Sequence, residues 1–495
     1  MRRFTAGALL ALVLLVWAIA PARAGDVTSE HEALLATYAG QLDELAGWCR
    51  QHQLPAAAEE LTAWLPPREL DKLTLFVIRS AVSLPTAKDP APVEWQSRWQ
   101  KLRDAQAEAI FALAKQAVEN HQPSLAYQLV TEAVRENPDH EAGRRMLGYV
   151  KFRDAWHTPF EIKQLGSGKI WHEKFGWLLP EHVERYEQGE RHYLGRWISA
   201  EQEANLRADL KRGWRVESTH YVVTTNHSLE EGVRLSRQLE TLHAIWQQVF
   251  VAYDADEAEL RRRFEGRPPR AAHKPHQVTY FRSREEYNHQ LRGVQPQIAI
   301  TLGIYLDRQR TAYFFAGEDQ DAGTLYHEAT HQLFQESRPV AANVGRRDNF
   351  WIIEGIACYM ESLADCGGHF TLGGANAGRM PAARHRLLVD KFYVPLEELV
   401  RLGMLDLQRD ERLPRIYSQS SGLADFLMHD AGGRFREPLV EYLVAVYSGK
   451  ADAKTLAELS GADYPTLDRQ YAEFMSRDAP PVAARDDAQT TTAGP

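Results

Sequence analysis

Hydrophobic residues follow three different patterns along the chain, and each pattern predicts a different kind of structure. From residue 28 to 153, apolar positions recur three and four residues apart, which is typical of amphipathic helices. From residue 216 to 476, short apolar runs are mixed with helical periods, which predicts strands and helices together. Residues 154–215 follow neither the helical nor the strand period over more than a few residues. The sequence therefore predicts an α+β protein that is mainly helical, with a small mixed sheet in its second part.

The helical region, residues 28–153, contains two amphipathic segments joined by a short turn. These segments are Ala107–Asn120 and Pro123–Asn137, and Pro138 closes the second. The pair resembles the helical hairpins of tetratricopeptide-type repeats, and a generic helical bundle is the alternative. At most two such hairpins can be counted, whereas stable arrays usually need three or more. We therefore expect this region to pack on the rest of the chain, and it is also a candidate surface for a protein partner.

The segment 154–215 is rich in tryptophan, with Trp156, Trp171, Trp177, Trp197 and Trp214 interleaved with glycine and proline. Aromatic surface of this extent requires burial. We therefore predict a connecting segment that lies on the following domain, and a carbohydrate-binding aromatic platform is the alternative.

The mixed part, residues 216–476, begins with short strand-like runs. Ser218–Thr225 and Gln277–Phe281 are predicted strands, and Ser228–Phe250 is a predicted long helix between them. The apolar runs Ile298–Leu306 and Thr311–Phe315 stand on either side of a polar turn, which predicts a hairpin.

The two ends of the chain differ from the rest. Arg2 and Arg3 precede the apolar run Ala6–Ala20, and a small-x-small site ends at Ala24, so residues 1–24 are predicted to be a secretory signal peptide. An uncleaved anchor is the alternative, but the run is short for a spanning helix. The mature protein is then expected to be secreted or periplasmic, without stable membrane insertion. Residues 477–495 are predicted to be a disordered tail.

Composition excludes several classes of protein. The formal charge of −9 leaves no basic field for nucleic acid, so no nucleic-acid partner is expected. A hydrophobic fraction of 44% and a charged fraction of 25% are those of an ordinary globular protein. The three cysteines, Cys49, Cys358 and Cys366, are too few for a disulfide framework, and a Cys358–Cys366 bridge stays open.

The sequence His327-Glu328-Ala-Thr-His331 is the motif with the clearest chemistry. Residues four apart lie on one face of a helix, so the two imidazoles can bind one tetrahedral metal ion. Glu328 lies one step round the helix, close enough to reach a metal-bound water without being a ligand. A surface helix that carries two histidines is the alternative, since short motifs also occur by chance.

A catalytic zinc site needs a third protein ligand. A second predicted helix follows Asp348 and Asn349, and it carries Glu354 and Gly355. If the two helices pack antiparallel, Glu354 faces the two histidines and Gly355 permits a close helix contact. Three other residues after the second histidine could supply the third ligand instead of Glu354: Glu361, Asp365 and His369.

An HExxH motif followed by a W-x-x-E-G-x-A-x-Y helix resembles the gluzincin class of zinc metallopeptidases. The resemblance implies that His327, His331 and Glu354 bind Zn²⁺ and that Glu328 is the general base. It implies a gluzincin-like domain over residues 216–476 and a peptide or protein substrate. The wider chain, from about Trp156 to Met475, resembles a group of secreted bacterial proteins that carry a domain of unknown function.

The chain departs from the gluzincin pattern at one position. Some gluzincins have an aspartate four residues after the ligand glutamate, where it orients the first histidine, and this chain has Cys358 there. A thiol cannot fill that role, so Glu361, two helical turns beyond Glu354, is the candidate that orients the histidine. Cys358 itself is expected to be a packed helix thiol.

The remaining expectations concern the walls of the site. Tyr417 is the candidate donor to the oxyanion, with a buried core tyrosine as the alternative, and His429 and Tyr326 are weaker candidates. Thr311–Phe315 is expected to form the rim of the cleft and to pair with an extended peptide.

Histidines outside the motif are expected to be surface groups: His220, His227, His273, His276 and His289. The function predicted is that of a secreted zinc peptidase. The alternative is a non-catalytic, partner-binding protein with an inactive metallopeptidase-like domain.

Overall fold

The computed structural model describes residues 27–80, 93–269, 274–317 and 321–477. The predicted signal peptide, residues 1–24, and residues 478–495 of the predicted tail lie outside the described residues. The molecule is α+β and mainly helical, with small sheets, as the sequence predicts. No helix among the described residues combines the length and the apolar character that crossing a membrane requires.

The first part of the chain is helical where the periodicity predicts helices. Its elements are α1 (Val27–Gln51), α2 (Pro55–Thr62), β1 (Lys72–Leu75), α3 (Glu94–Glu119), α4 (Pro123–Glu136) and α5 (Glu141–Met146). The predicted helices around Ala107 and Leu125 are the end of α3 and the whole of α4, and Pro123 begins α4 at a position where its missing N–H costs nothing. The strand β1 interrupts the helices and was not predicted.

The tryptophan-rich segment consists of three hairpin-and-helix units in succession, an arrangement that the sequence pattern did not reveal. The units are β2 (Val150–Phe152), β3 (Ala155–His157) and α6 (Pro159–Gly166); β4 (Ile170–His172), β5 (Gly176–Leu178) and α7 (Val183–Glu187); and β6 (Glu190–Tyr193), β7 (Arg196–Ser199) and α8 (Ala200–Leu206). The second strand of each hairpin carries one tryptophan: Trp156, Trp177 or Trp197. Trp156 is buried and the other two are half-buried, as so much aromatic surface requires.

A five-stranded sheet forms the centre of the mixed part. Its strands and the helices between them are β8 (Trp214–Glu217), β9 (Tyr221–Thr225), α9 (Leu229–Asp254), α10 (Glu257–Phe264), β10 (His276–Phe281), α11 (Arg284–Leu291), β11 (Ile304–Leu306) and β12 (Thr311–Phe315). The strand order is β11-β12-β10-β9-β8, and β10 pairs in parallel with both β9 and β12. The predicted hairpin is confirmed for β11 and β12, which pair antiparallel with Tyr305 opposite Ala312. The start of the first predicted run, Ile298–Ile300, is instead a 3₁₀ helix.

The hairpin corrects one expectation about the cleft. β12 lies between β11 and β10, so both of its edges are already paired, and a peptide cannot add to it. The expectation that Thr311–Phe315 pairs with a substrate is therefore wrong. The edge strand on this side of the sheet is β11.

Helices dominate the chain after the sheet, as predicted. They are α12 (Ala322–Glu336), α13 (Phe350–Met360), α14 (Met380–Leu388), α15 (Leu396–Leu399), α16 (Met404–Gln408), α17 (Leu413–His429), α18 (Arg436–Tyr447), α19 (Thr455–Ser460) and α20 (Tyr464–Ser476). Between α13 and α14 stand β13 (Ala364–Asp365) and β14 (Phe370–Gly373). β14 pairs antiparallel with β13 on one side and with β1, from the helical region, on the other.

One large hydrophobic core joins the five-stranded sheet to the helices that follow it. It includes Trp246 of α9, Phe334 of α12, Trp351 of α13, Leu423 of α17 and Tyr442 of α18, all fully enclosed. Because α12 and α13 both contribute to this core, their positions relative to the sheet are fixed by close packing.

Candidate metal centre

Helix α12 presents the two motif histidines side by side. The Asp321 carboxylate caps the start of the helix by accepting the N–H of Thr324 at 2.6 Å. Leu325, Ala329 and Leu333 are buried on the core side. With the helix held in this way, the Nε2 atoms of His327 and His331 lie 3.1 Å apart.

Helix α13 brings Glu354 to the same two nitrogens, as predicted. One carboxylate oxygen lies 3.5 Å from Nε2 of His327, and the other lies 3.7 Å from Nε2 of His331. The close contact expected at Gly355 is made with α17, because a Cβ atom built on Gly355 would stand 2.7 Å from the carbonyl oxygen of Ser420.

The donor atoms of these three residues fit a tetrahedral divalent metal. Ligands that bind one Zn²⁺ at about 2.0–2.2 Å in a tetrahedron are roughly 3.3–3.6 Å apart, and the three separations of 3.1, 3.5 and 3.7 Å are close to this range. Glu354 is only 1% exposed, and among the described residues neither of its carboxylate oxygens has a hydrogen-bond partner. Because an unpaired buried carboxylate is costly, a cation between the three residues is the partner that this geometry lacks.

Glu361 holds the other side of the His327 ring. Its carboxylate lies 2.8 Å from Nδ1 of His327, and the Arg379 guanidinium donates two hydrogen bonds of 2.9 Å to the same carboxylate. A carboxylate that accepts from Nδ1–H leaves Nε2 as the unprotonated, metal-binding nitrogen. Glu361 therefore occupies the orienting position that the sequence suggests for it, on the side of the ring away from His331.

The rival third ligands are not placed as well as Glu354. His327, Cys358 and Glu361 form a second convergent group, but it uses Nδ1 of His327 and does not include His331. Asp365 is exposed on β13, and His369 lies in the turn before β14. Cys358 is a free, buried thiol 3.9 Å from Nδ1 of His327, and burial raises its pKa, so it is a packed thiol as expected.

Burial and charge both shape the protonation of the centre. Burial lowers the pKa of His331 to about 4, which keeps this imidazole neutral as a ligand must be. Burial alone lowers the pKa of His327 as well, but its contacts with Cys358, Glu354 and Glu361 raise it well above its ordinary value. For Glu361, burial is outweighed by His327 and Arg379, and its pKa falls to about 2. The centre therefore keeps a carboxylate behind the His327 ring in its charged form.

Glu328 is buried beside the ligands and is held by the sheet. One of its carboxylate oxygens accepts the backbone N–H of Tyr305 at 2.8 Å, so the edge strand β11 is tied to α12, the helix of the two motif histidines and hereafter the candidate metal helix. Burial raises the pKa of Glu328, which moves it towards the range of a general base at neutral pH.

Tyr417 lies on α17, which packs against α13. It is 4% exposed, and burial, followed by the charge of Glu354, raises its pKa well above 10. His429 is engaged elsewhere, because its Nε2 is 2.9 Å from the hydroxyl of Tyr359. Tyr326 is buried on α12. Of the three candidate donors, Tyr417 is therefore the one whose electrostatic surroundings include Glu354 and Glu328.

The expectation for the other histidines is partly wrong. His227 and His289 are exposed and His220 is half-buried, where it pairs with Glu240, while His273 lies outside the described residues. His276, however, is 4% exposed, and its Nδ1 lies 2.9 Å from the Glu336 carboxylate. Its position at the start of a buried strand, in alternation with Val278 and Tyr280, was the signal that should have predicted an inward side chain.

The sequence patterns did not identify two residues that contact the centre, Arg379 and Tyr305. Arg379 lies beyond the β13–β14 hairpin, and no local pattern connects it to Glu361. Tyr305 contacts Glu328 through its backbone, which a residue pattern does not report.

Comparison of the chain with models of known protein families finds no match, and comparison with curated proteins finds none either.

Proposed function

We propose that this chain is a zinc-dependent peptidase, and that His327, His331 and Glu354 hold the metal. The convergence of two Nε2 atoms and a buried carboxylate without a hydrogen-bond partner supports the proposal most strongly. The gluzincin-like arrangement of the HExxH helix and the following glutamate helix agrees with this function.

The chemistry divides between the metal and the protein. Bound Zn²⁺ supplies a Lewis acid that polarises a carbonyl group and lowers the pKa of a coordinated water towards ~7. Glu328 takes the proton of the attacking water and delivers it to the leaving amine. Tyr417 would donate a hydrogen bond from its phenol to the oxyanion, and its raised pKa keeps the phenol protonated at neutral pH.

A non-catalytic role is the second candidate, and the enclosure of the centre favours it. His327 is 2% exposed and Glu354 is 1% exposed, while the side chain of His331 keeps 11% of its surface accessible. A substrate must reach the metal past this small opening, whereas a structural metal needs no access.

The experiment that tests the proposal combines metal content with hydrolysis, and it uses the full chain. We expect about one zinc per wild-type chain, loss of zinc in His327→Ala and Glu354→Ala, and cleavage within a fluorogenic peptide library. Glu328→Gln should keep its zinc and lose about 10²–10⁴-fold in kcat, because the general base is removed. His289→Ala, which changes an exposed histidine, is the matched control.

The outcomes separate the two candidates. A wild-type chain that takes up no zinc contradicts the metal centre itself. Stoichiometric zinc without hydrolysis of any peptide favours the non-catalytic role. Hydrolysis that survives Glu328→Gln unchanged removes Glu328 from the mechanism.

A further inference from the structure

Tyr305 contacts the candidate metal helix α12 at two points. Its backbone N–H donates to a carboxylate oxygen of Glu328 at 2.8 Å, and its phenol donates to Glu336 at 3.0 Å. Both glutamates belong to α12 and are about two helical turns apart. A single residue of the edge strand is thus bound to the residue next to the first histidine and to the last residue of the helix.

Glu336 is anchored from several directions. Beyond the phenol of Tyr305, its carboxylate is contacted by Nδ1 of His276 at 2.9 Å and by Nε2 of Gln332 at 3.2 Å. The Arg310 guanidinium, in the turn between β11 and β12, lies 3.5 Å away. The Glu336 side chain is only 4% exposed. Glu336 is therefore a fixed point, because strand, turn and helix residues all meet at one buried carboxylate.

The edge strand needs such an anchor. β11 has three residues, and within the described residues it pairs on one side only, with β12. A short edge strand of this kind is held by few hydrogen bonds and opens more easily than a central strand. The phenol of Tyr305 keeps its proton, and so remains a donor, because burial and the Glu336 charge raise its pKa.

From this geometry we infer that Tyr305 and Glu336 are positioning residues, which hold β11 so that its N–H fixes the carboxylate of Glu328. This inference rests on the proposed function for the role of Glu328. The two contacts of Tyr305, with Glu328 and with Glu336, are here called the clamp, and they are a property of the fold. In the part of the chain that the structure describes, no hydrogen bond joins Tyr305 or Glu336 to His327, His331 or Glu354. We therefore expect the zinc content to survive loss of the clamp.

A double-mutant cycle tests the inference on the zinc-loaded chain. We expect Tyr305→Phe to lower kcat about tenfold, since small displacements of a general base cost one to two orders of magnitude. Zinc content should stay at the wild-type value. In a Glu328→Gln background the same change should cost nothing further, because Tyr305 acts only through Glu328. Glu336→Gln, which retains an acceptor oxygen for the phenol, should be milder than Glu336→Ala.

Tyr313→Phe is the matched control. Tyr313 lies on the adjacent strand β12, and its hydroxyl bonds to the side chain of Gln309 instead of to α12. This variant should keep the wild-type kcat, zinc content and melting temperature.

A second measurement tests the clamp without any hydrolysis. Hydrogen exchange, followed by mass spectrometry of the peptide that contains residues 304–306, should be about tenfold faster in Tyr305→Phe and Glu336→Ala than in the wild type. Tyr313→Phe should leave the exchange of this peptide unchanged.

The results separate this inference from the proposed function. Unchanged exchange, or an equal loss of kcat with and without Glu328, overturns the clamp. Faster exchange in a zinc-loaded chain that hydrolyses no peptide supports the clamp and overturns the peptidase proposal.

Discussion

The contact between Glu361 and His327 gives the sharpest prediction about metal binding. Replacing Glu361 by alanine removes the acceptor for Nδ1–H of His327, which lies at 2.8 Å, and it leaves Arg379 without this partner. The imidazole then loses the contact that fixes its tautomer and orientation. We expect the variant to fold and to bind zinc more weakly than the wild type.

The size of the effect follows from the position of Glu361. Loss of a carboxylate behind a metal-bound histidine typically lowers metal affinity about 10–100-fold, which is roughly 1.4–2.8 kcal/mol of binding free energy. Glu361→Gln should lose less, because the amide oxygen still accepts from Nδ1–H. Glu354→Ala should lose more than either, since it removes one of the three ligands themselves.

The assay is a competition titration of zinc between each variant and a chelator of known affinity, with the melting temperature of the metal-free protein as the folding control. Cys358→Ala is the matched control within the same cluster, because the thiol lies 3.9 Å from Nδ1 and should contribute little. Wild-type affinity in Glu361→Ala would refute the orienting role. A larger loss in Glu361→Ala than in Glu354→Ala would make Glu361 a ligand and refute the assignment of the centre.

Two further predictions concern stability. Gly355→Ala should lower the free energy of unfolding by roughly 1–3 kcal/mol, because its Cβ would lie 2.7 Å from the Ser420 carbonyl oxygen, whereas Gly47→Ala, with open space around it, should not destabilise in thermal melts. Burial and the charge of Asp71 raise the pKa of Asp425 to about 8, so its stabilising contribution is complete below about pH 4 and is lost as the pH rises to 8. Urea unfolding should therefore show the free energy of unfolding of the wild type falling by about 5 kcal/mol relative to Asp425→Asn between pH 4 and pH 8. Parallel pH profiles of the two proteins would contradict this reasoning.

The sequence predicted the parts of the centre that follow from helical spacing. His327 and His331 are four residues apart, so any helix through them brings their rings together. Glu354 required only that a second helix pack against the first. Glu361 could be proposed because it is seven residues, or two turns, beyond Glu354.

The sequence did not predict the features that depend on contacts between distant segments. Arg379 reaches Glu361 across a hairpin, and Tyr305 reaches Glu328 from the sheet. The outer position of β11, which excludes a peptide from β12, depends on strand order, and periodicity does not encode strand order. The three hairpin-and-helix units were missed because strands of three or four residues are too short to establish a period.

The pairing of β1 with β14 has a consequence for how the chain folds. Lys72 lies opposite Gly373, so about 300 residues separate the two strands, and their union closes a very long loop. Contacts of such long range form late, after the local helices. Until β1 arrives, one edge of β14 is open, and open strand edges recruit other chains. In the folded chain β1 covers that edge, and removing the helical region would expose it close to α13, the helix that carries Glu354.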